Sequence, residues 1–363
     1  VSTAADPPAA GSTTSPPPGR ATISDVARVA GVSVATVSKV VNNRYGVAAS
    51  TAERVLAVVG ELGYESSLVA RSLRRQSTNV VGVLVAEFEP YSTELLKGIS
   101  SAVGGTGYEL LAYSGGSDGG VPGGWERRSL SRLAGTLIDA AIVVTPTMVM
   151  SEANGIPVVA VDPHTGPEGT HTVDSDNVTG AREAVEHLLG LGHRRIAHLG
   201  GRSDLQSARL RELGYREALE AAGIAVDPDL VRVGGYRPDT ADTPARELLT
   251  TSGAERPTAV FAANDLSAIH LMEVAAELGI RVPQDLSVVG FDNVPESMTT
   301  TPALTTVAQP LHQMGAEALR MVLDLLGGTP REQHLRLPTS LVVRGSTAPP
   351  PSPPPEVGNS SAA

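Results

Sequence analysis

Three short helical patterns crowd into residues 22–62 without an intervening strand, and from Asn79 onward eight apolar runs alternate with helix-length amphipathic segments. Together these predict an all-α helix-turn-helix head followed by an α/β body of two doubly wound parallel-sheet subdomains. A length of 363 residues, beyond one ordinary domain, agrees with that division.

In the head, Thr22 stands as an N-cap with Asp25 three residues on to return the capping interaction, and Ile23, Val26, Ala27 and Ala30 share the inner face. Gly31 stops this helix by permitting the left-handed turn that a short connection needs, and Ser33 caps the next. Thr36, Val37, Val40 and Val41 recur at helical spacing and are expected to be buried, which leaves Val34, Ala35, Ser38, Lys39 and Asn42 outside. The third helix is expected to open on a second capping box, Ser50-Thr-Ala-Glu53, to face inward with Val55, Leu56, Val59 and Leu62, and to end at Gly63. Such a trio fits a DNA-binding head and also a plain three-helix bundle.

Charge points to the first of these. Residues 20–75 hold eight basic groups (Arg20, Arg28, Lys39, Arg44, Arg54, Arg71, Arg74, Arg75) against four acidic ones (Asp25, Glu53, Glu61, Glu65), although the whole chain carries -11. A basic head on an acidic body is repelled from a phosphate backbone everywhere except at the head.

In the body the strand candidates are 80–85, 109–113, 140–144, 158–161, 195–199, 230–233, 259–262 and 286–290, separated by helical segments such as 177–191, 206–222 and 265–278. This alternation implies βαβ units and parallel sheets, with a ligand cleft between two sheets at the carboxyl ends of their strands. The Pro-rich stretches 1–19 and 346–363 bracket the chain and are expected to be disordered.

Several function classes fall away. Cysteine is absent, which removes disulfide frameworks, thiolate metal sites and cysteine nucleophiles. No apolar run approaches the eighteen or so residues that span a bilayer, and the leader lacks the charged and apolar regions of a secretory signal, so a cytoplasmic location without membrane contact is expected. Gly115-Gly-Ser-Asp-Gly119 matches G-x-S-x-G but runs into Gly120 and Pro122 rather than a helix, so a loop is expected in place of a nucleophile elbow. Leu199-Gly200-Gly201 lacks the full dinucleotide-binding spacing, and the eight histidines show no ligand pairing. No cofactor, metal or catalytic residue is expected.

The stretch Thr22-Ile-Ser-Asp-Val-Ala-Arg-Val-Ala-Gly-Val-Ser-Val-Ala-Thr-Val-Ser-Lys-Val-Val-Asn42 closely resembles the signature of the lactose-repressor (LacI/GalR) family of bacterial transcriptional regulators. The similarity runs on through Val47, Thr51, Arg54, Leu62, Gly63, Tyr64, Ala70 and Leu73 and can be followed to about Thr347. Matching patterns in the body are Asp176-Asn-Val-Thr-Gly180, Leu191 to Gly201, Ser207 to Arg211, Ala262-Ala-Asn-Asp265, Val288 to Asn293 and Leu304 to Val307.

The resemblance implies a helix-turn-helix domain at 21–66, a hinge helix and linker at 67–78, an effector-binding and dimerisation domain of periplasmic-binding-protein type at 79–347, and a disordered tail at 348–363. It places Val34, Ala35 and Lys39 on base edges, suits Thr22, Ser24, Ser33, Ser38 and Asn42 to further DNA contacts, and makes Leu73 a minor-groove wedge. Carried over residue by residue, the effector contacts are Tyr91, Ser92, Arg209, Arg211, Tyr236 and Asp265, with Phe88, Asp176 and Phe291 as further members. An arginine fork and a carboxylate suit vicinal hydroxyls, and an aromatic ring suits the apolar face of a sugar.

The same resemblance implies a homodimer on a double-stranded DNA operator, a repressor of carbohydrate-utilisation genes released by a sugar. A corepressor-dependent sensor of a non-sugar metabolite is the alternative within the family, although an aromatic content of 3% disfavours ligands held by stacking. A small-molecule-binding enzyme with an incidental helical head is the alternative outside it.

Overall fold

The computed structural model describes residues 21–41, 45–64, 77–115, 124–150, 155–251, 255–329 and 333–351. The chain divides between Arg75 and Gln76 into two compact units.

The first unit contains α1 (Ile23–Ala30), α2 (Val34–Val41) and α3 (Ala49–Leu62). Val26, Ala27, Ala30, Val37, Val55 and Val58 form its core. Gly31 takes φ 64° at the end of α1, as the turn requires. The third helix departs from expectation. It starts at Ala49 after Ala48, which offers no side-chain cap, so Ser50 and Glu53 lie within the helix instead of forming a capping box. Val58 is buried while Leu56 is 54% exposed and Leu62 sits at the surface. Apolar residues at 55, 56, 58, 59 and 62 span more than one stripe, and contact with the other two helices selects the stripe that is buried.

The second unit contains two six-stranded sheets. The first, in order β11-β5-β4-β3-β1-β2, is built from β1 (Val80–Val85), β2 (Glu109–Ser114), β3 (Ala140–Val144), β4 (Val158–Val161), β5 (His171–Ser175) and β11 (His334–Leu337), all parallel. The second, in order β12-β10-β9-β8-β6-β7, takes β6 (Ile196–Gly200), β7 (Val231–Val233), β8 (Ala259–Ala262), β9 (Ser287–Asp292), β10 (Thr305–Ala308) and β12 (Ser340–Val342). All eight expected strands are present, with ends moved by up to two residues, and β5, β10, β11 and β12 are additional. The pairing of β12 with β10 is antiparallel. Only Pro338 and Thr339 separate β12 from β11, too short a link for a parallel crossover within one sheet, so β12 joins the other sheet.

Helices cover both faces of both sheets, which is why the central strands β1, β3, β4, β8 and β9 are buried along their whole length. On the first sheet, α4 (Pro90–Ala102) and α10 (Leu311–Leu326) pack one face, and α5 (Trp125–Leu133) packs the other. On the second, α6 (Asn177–Gly190) and α7 (Gln206–Ala221) pack one face, with α8 (Pro238–Thr250) and α9 (Asp265–Glu277) on the other. The α4–α10 contact depends on missing side chains. A Cβ on Gly98 would lie 2.1 Å from the His312 carbonyl oxygen, and one on Gly315 would lie 2.3 Å from that of Leu95.

The chain passes between the sheets three times, at 175–177, 308–311 and 337–340. A buried polar network fastens these crossings. Ser175 Oγ donates to Gln309 Oε1 (2.6 Å), Gln309 Nε2 donates to Asp292 Oδ1 (2.7 Å), and the Asp176 N–H donates to the Leu337 carbonyl (2.9 Å).

At the entry to the second unit, Asp139 accepts hydrogen bonds from the Thr78 N–H (2.7 Å), the Asn79 N–H (2.7 Å) and the Ser77 and Thr78 hydroxyls. Partial burial pulls its pKa upward, but these bonds outweigh it and hold the carboxyl below its usual range.

The expectation of disorder from Ser346 onward fails for the first residues of that stretch. Ser346 is buried and its hydroxyl donates to the Val288 carbonyl (2.6 Å), while the Ala348 N–H donates to Ser287 Oγ (3.0 Å). Proline starts only at 349, so these residues still have N–H groups to pair. The leader 1–20, the residues 65–76 that include the expected hinge helix, and most of the Gly115–Gly119 loop lie outside the described residues. Among the described residues no helix is long and apolar enough to cross a membrane.

Candidate functional site

Two surfaces carry the chemistry, one in each unit. In the head, the Thr22 N–H donates to Asp25 Oδ2 (3.0 Å) and the Asp25 N–H to Thr22 Oγ1 (3.3 Å), a reciprocal cap that fixes the start of α1. Hydrogen bonds from Thr22 draw the Asp25 carboxyl down to about 2. Ser33 Oγ accepts from the Thr36 N–H (3.1 Å) and so starts α2. The first turn of α2 presents Val34 and Ala35, and Lys39 follows one turn later; all three are exposed, while Ser38 is half-buried. Thr22, Ser24 and Ser33 are exposed too. A helix with small apolar groups at its start and one cation a turn later can enter a major groove. Asn42 and Leu73 lie outside the described residues.

In the body a cleft opens between the two sheets at the carboxyl ends of their strands. The first sheet and its helices contribute Glu89, Tyr91, Thr145, Asp162 and His164; the second contributes Ser207, Arg211, Tyr236, Asn264, Leu266, Asp292 and Val294. Thr145, Asp162 and Asp292 directly follow or end strands and have φ of 46°, 48° and 114°. L side chains rarely adopt such backbone, and each such residue costs about 1–3 kcal/mol unless its surroundings hold it. Here the sheets do: the Thr145 N–H donates to the Val161 carbonyl (2.7 Å) and the Asp162 N–H to that of Val173 (2.9 Å). All three line the cleft, whereas Asn79 and Asn293, the other described non-glycine residues with positive φ, do not.

Arg211 is the hub. Its guanidinium is 3% exposed, lies 3.9 Å from the centre of the Phe291 ring, and donates to Asn177 Oδ1 (2.8 Å) and to the Ala263 carbonyl. It also sits 3.4 Å from Asp292 Oδ1, the oxygen held by Gln309. Burial raises the Asp292 carboxyl to about 7 against the opposing pull of Arg211, and burial likewise raises Asp162. His164 is driven down to about 4, first by burial and then by Arg211, so it is neutral at physiological pH. Its Nδ1 has no hydrogen-bond partner, and the Tyr91 hydroxyl, which faces Asp162, makes no hydrogen bond of good geometry. The Tyr236 hydroxyl bonds Ser207 Oγ (3.0 Å), and burial lifts its pKa to about 12.

Two contacts reach from one half of the cleft to the other. Arg237 Nη1 donates to both carboxylate oxygens of Glu87 at 2.8 Å, and the Gln206 N–H donates to the His164 carbonyl at 2.9 Å.

Comparison with known proteins shows what carries this pair of surfaces. Residues 22–67 match the family model for bacterial regulatory proteins of the lacI family, and 185–347 match the periplasmic binding protein-like domain. The HTH-type transcriptional repressor PurR of Pectobacterium carotovorum is 34% identical over 337 residues, covering 90% of this chain and 97% of that protein. The chain belongs to the LacI family of bacterial transcriptional regulators.

The ribose operon repressor of Halalkalibacterium halodurans is 35% identical over 332 residues, again covering 90% of this chain and 97% of the relative. Among solved structures, the transcriptional regulator CelR in complex with cellobiose is 33% identical with a TM-score of 0.65 and covers 90% of this chain and all of that one. The Lac repressor dimer bound to operator and the anti-inducer ONPF is 28% identical with a TM-score of 0.76, covering 91% of this chain and all of that one. As a LacI-family member the chain is a sequence-specific DNA-binding regulator modulated by a small effector, and it is not an enzyme.

Of the nine effector positions expected from sequence, Tyr91, Arg211 and Tyr236 line the cleft. The other six lie outside its lining. Phe291 is buried beneath the Arg211 guanidinium, and Ser92 is buried in α4. Asp176 caps α6 by accepting from the Thr179 N–H (3.1 Å). Asp265 is fully buried and accepts from the Val294 N–H (2.9 Å) and the Thr306 hydroxyl, while Asn264 serves as the cap of α9. Arg209 is exposed and donates to the Ser203 carbonyl (2.9 Å) and Gln206 Oε1 (2.6 Å). Phe88 is 54% exposed.

Sequence reasoning missed Glu89, Thr145, Asp162, His164, Ser207, Asn264 and Asp292. Asn264 and Asp292 sit inside motifs already singled out, one residue from Asp265 and Phe291, and Asp162 directly follows a fully apolar strand.

Proposed function

We propose that this chain acts as a homodimer that represses carbohydrate-utilisation genes from a pseudo-palindromic operator, and that a sugar bound in the body cleft releases it. The carrying observation is the cleft itself. Arg211, Asn264, Asp162 and Asp292 offer donors and acceptors in the alternation that vicinal hydroxyls demand, and two buried polar atoms, Tyr91 Oη and His164 Nδ1, await a partner. Tyr91, Arg211 and Tyr236 are the direct contacts retained from sequence. Phe291, Asp265, Asp176 and Ser92 act by supporting the cleft walls, and Phe88 and Arg209 stand further out. In the head, Val34, Ala35 and Lys39 read bases, Thr22, Ser24, Ser33, Ser38 and Asn42 hold the backbone, and Leu73 wedges into the minor groove.

The cleft has a direct line to the crossings. A ligand that hydrogen-bonds Asp292 competes with or reinforces the Gln309–Ser175 chain that fastens two of them. Differential binding of the ligand to two arrangements of the sheets then alters operator affinity, and coupling of about 1–3 kcal/mol corresponds to about 5- to 150-fold. That the H. halodurans relative is named a ribose operon repressor and that CelR was solved with cellobiose favour a sugar.

Selection of bound sequences from a random DNA pool, with titration of a sugar panel into the resulting complex, tests the reading. A palindromic site released by one of the sugars is expected. Tightening of the complex by a non-sugar metabolite, with no sugar active, would replace it with the corepressor reading that similarity to PurR proteins allows.

A further inference from the structure

Three carboxyl groups, Glu89, Asp162 and Asp292, line the cleft against one guanidinium, Arg211. Its Nε and Nη1 already serve Asn177, the Ala263 carbonyl and Asp292. The neighbouring cations outside the lining are committed as well, Arg237 to Glu87 and Asp239, and Arg202 to Asp204. His164 contributes a neutral ring. Backbone donors at helix starts, the usual alternative for an anion, are reduced in number. α4 begins with Pro90, which has no N–H, the Gln206 N–H of α7 serves the His164 carbonyl, and the Ser267 N–H of α9 serves Asn264 Oδ1. Among the described residues, the cleft lining therefore sets three carboxyl groups against a single cation, most of whose donors are already engaged.

We propose that this cleft selects an uncharged sugar and rejects its phosphorylated form, with Glu89 and Asp162 as the specificity-determining residues. The proposal rests on the reading of the cleft as a sugar site. A hydroxyl both donates and accepts, so it satisfies a carboxylate on one side and a Tyr or Asn donor on the other. A phosphate brings about two negative charges and only acceptors, so placing it beside these carboxyl groups costs like-charge repulsion where they are ionised, or uptake of a proton where burial has raised them. The discrimination costs the protein nothing in contacts to the neutral ligand, because the same carboxylates that repel phosphate accept from hydroxyls.

The experiment is isothermal titration of the full chain with matched pairs: ribose and ribose 5-phosphate, glucose and glucose 6-phosphate, cellobiose and its 6'-phosphate. For any pair in which one member binds, the neutral one is expected to bind more tightly by about 100-fold or more. In the double variant Glu89→Gln, Asp162→Asn the gap narrows to about 10-fold or less, with circular dichroism confirming that the variant is folded. A phosphorylated member that binds as tightly as its parent in the wild-type chain overturns the charge rule and leaves the sugar site standing. An unchanged gap in a folded double variant overturns the assignment to Glu89 and Asp162. Silence from both members of every pair overturns the sugar reading, and the charge rule with it.

Discussion

Replacing Arg211 with Met keeps most of the side-chain volume in place and removes only the charge and its donors. The guanidinium is 3% exposed, stacks on Phe291 at 3.9 Å and offsets the buried carboxyls of Asp162 and Asp292. Removing one member of a buried charge pair typically costs about 3–5 kcal/mol, chiefly because the partner is left uncompensated. The loss here is expected at the lower end, since burial has already lifted Asp292 to about 7 and it can take up a proton instead of remaining charged. Asp292→Asn alone should cost less than about 1.5 kcal/mol, because the amide oxygen still accepts from Gln309. In the double variant the neutral amide at position 292 no longer needs the cation, so at least about 1 kcal/mol of the Arg211→Met loss should be recovered. Urea unfolding monitored by fluorescence reads this cleanly, because Trp125 is the only tryptophan and is buried in the body. An Arg211→Met loss below about 1 kcal/mol, or strict additivity of the two substitutions, would refute the assignment of Arg211 as the compensating charge of the cleft.

The same contacts set further expectations. Asp292 has a folded pKa raised from 3.8 to about 7, so its contribution to stability is fully present below about 3.8 and is lost as pH rises through 7, by at most about 4 kcal/mol; Asp292→Asn should flatten that part of a stability–pH profile, and an unchanged slope between pH 4 and 7 would contradict it. Gly98→Ala should destabilise the body by about 1–3 kcal/mol in urea titrations, since the added methyl would meet the His312 backbone. Asp139→Asn should weaken the anchor of residues 77–79; because its carboxyl is held below the usual range, the wild-type contribution is present above about 3.8 and fades as pH falls, and equal acid sensitivity of variant and wild type would argue against the anchor. On the DNA side, Lys39→Ala should weaken binding to a selected operator by about 10-fold and relax base preference at the position it contacts, as read by competition gel shifts. Leu73→Ala should weaken operator binding more than binding to random DNA, and equal loss on both would rule out a wedge.

How much of this was legible from sequence depends on whether local pattern or distant partners decide the outcome. The caps at Thr22 and Ser33 and the apolar strands β1, β3, β4, β8 and β9 depend on residues close in the chain, and they appear as read. The strands that escaped notice carry polar groups satisfied only in three dimensions. In β5, Thr172 bonds His334 and Asp174 pairs with Arg336, both on β11, and in β10 Thr306 donates to Asp265. The same holds for the cleft. Asp265 has the look of a ligand carboxylate in Asn264-Asp265, yet the turn after β8 aims Asn264 at the cleft and Asp265 into the protein, where the Val294 N–H and Thr306 receive it. Asp162 carries no signature, because an aspartate after an apolar strand reads like any turn, and within the motif Val288 to Asn293 nothing distinguished Asp292 from Phe291; the positive φ of both aspartates, which swings them into the cleft, shows only in the folded chain. The third helix illustrates the limit of periodicity, since with apolar residues on two sides only tertiary contact chooses which side is buried.

Central to the proposed function is control, by a small molecule in the body cleft, of the hold of the head on DNA. The direct measurement is operator affinity of the full chain, on a site selected from a random pool, with and without a saturating neutral sugar that binds the cleft, in the wild type and in Asp292→Asn. The sugar is expected to weaken the wild-type complex by about 5- to 150-fold, and to have a much smaller effect on Asp292→Asn although the sugar-free affinity of that variant for DNA is unchanged. A sugar that occupies the cleft and leaves operator affinity unaltered would contradict such control.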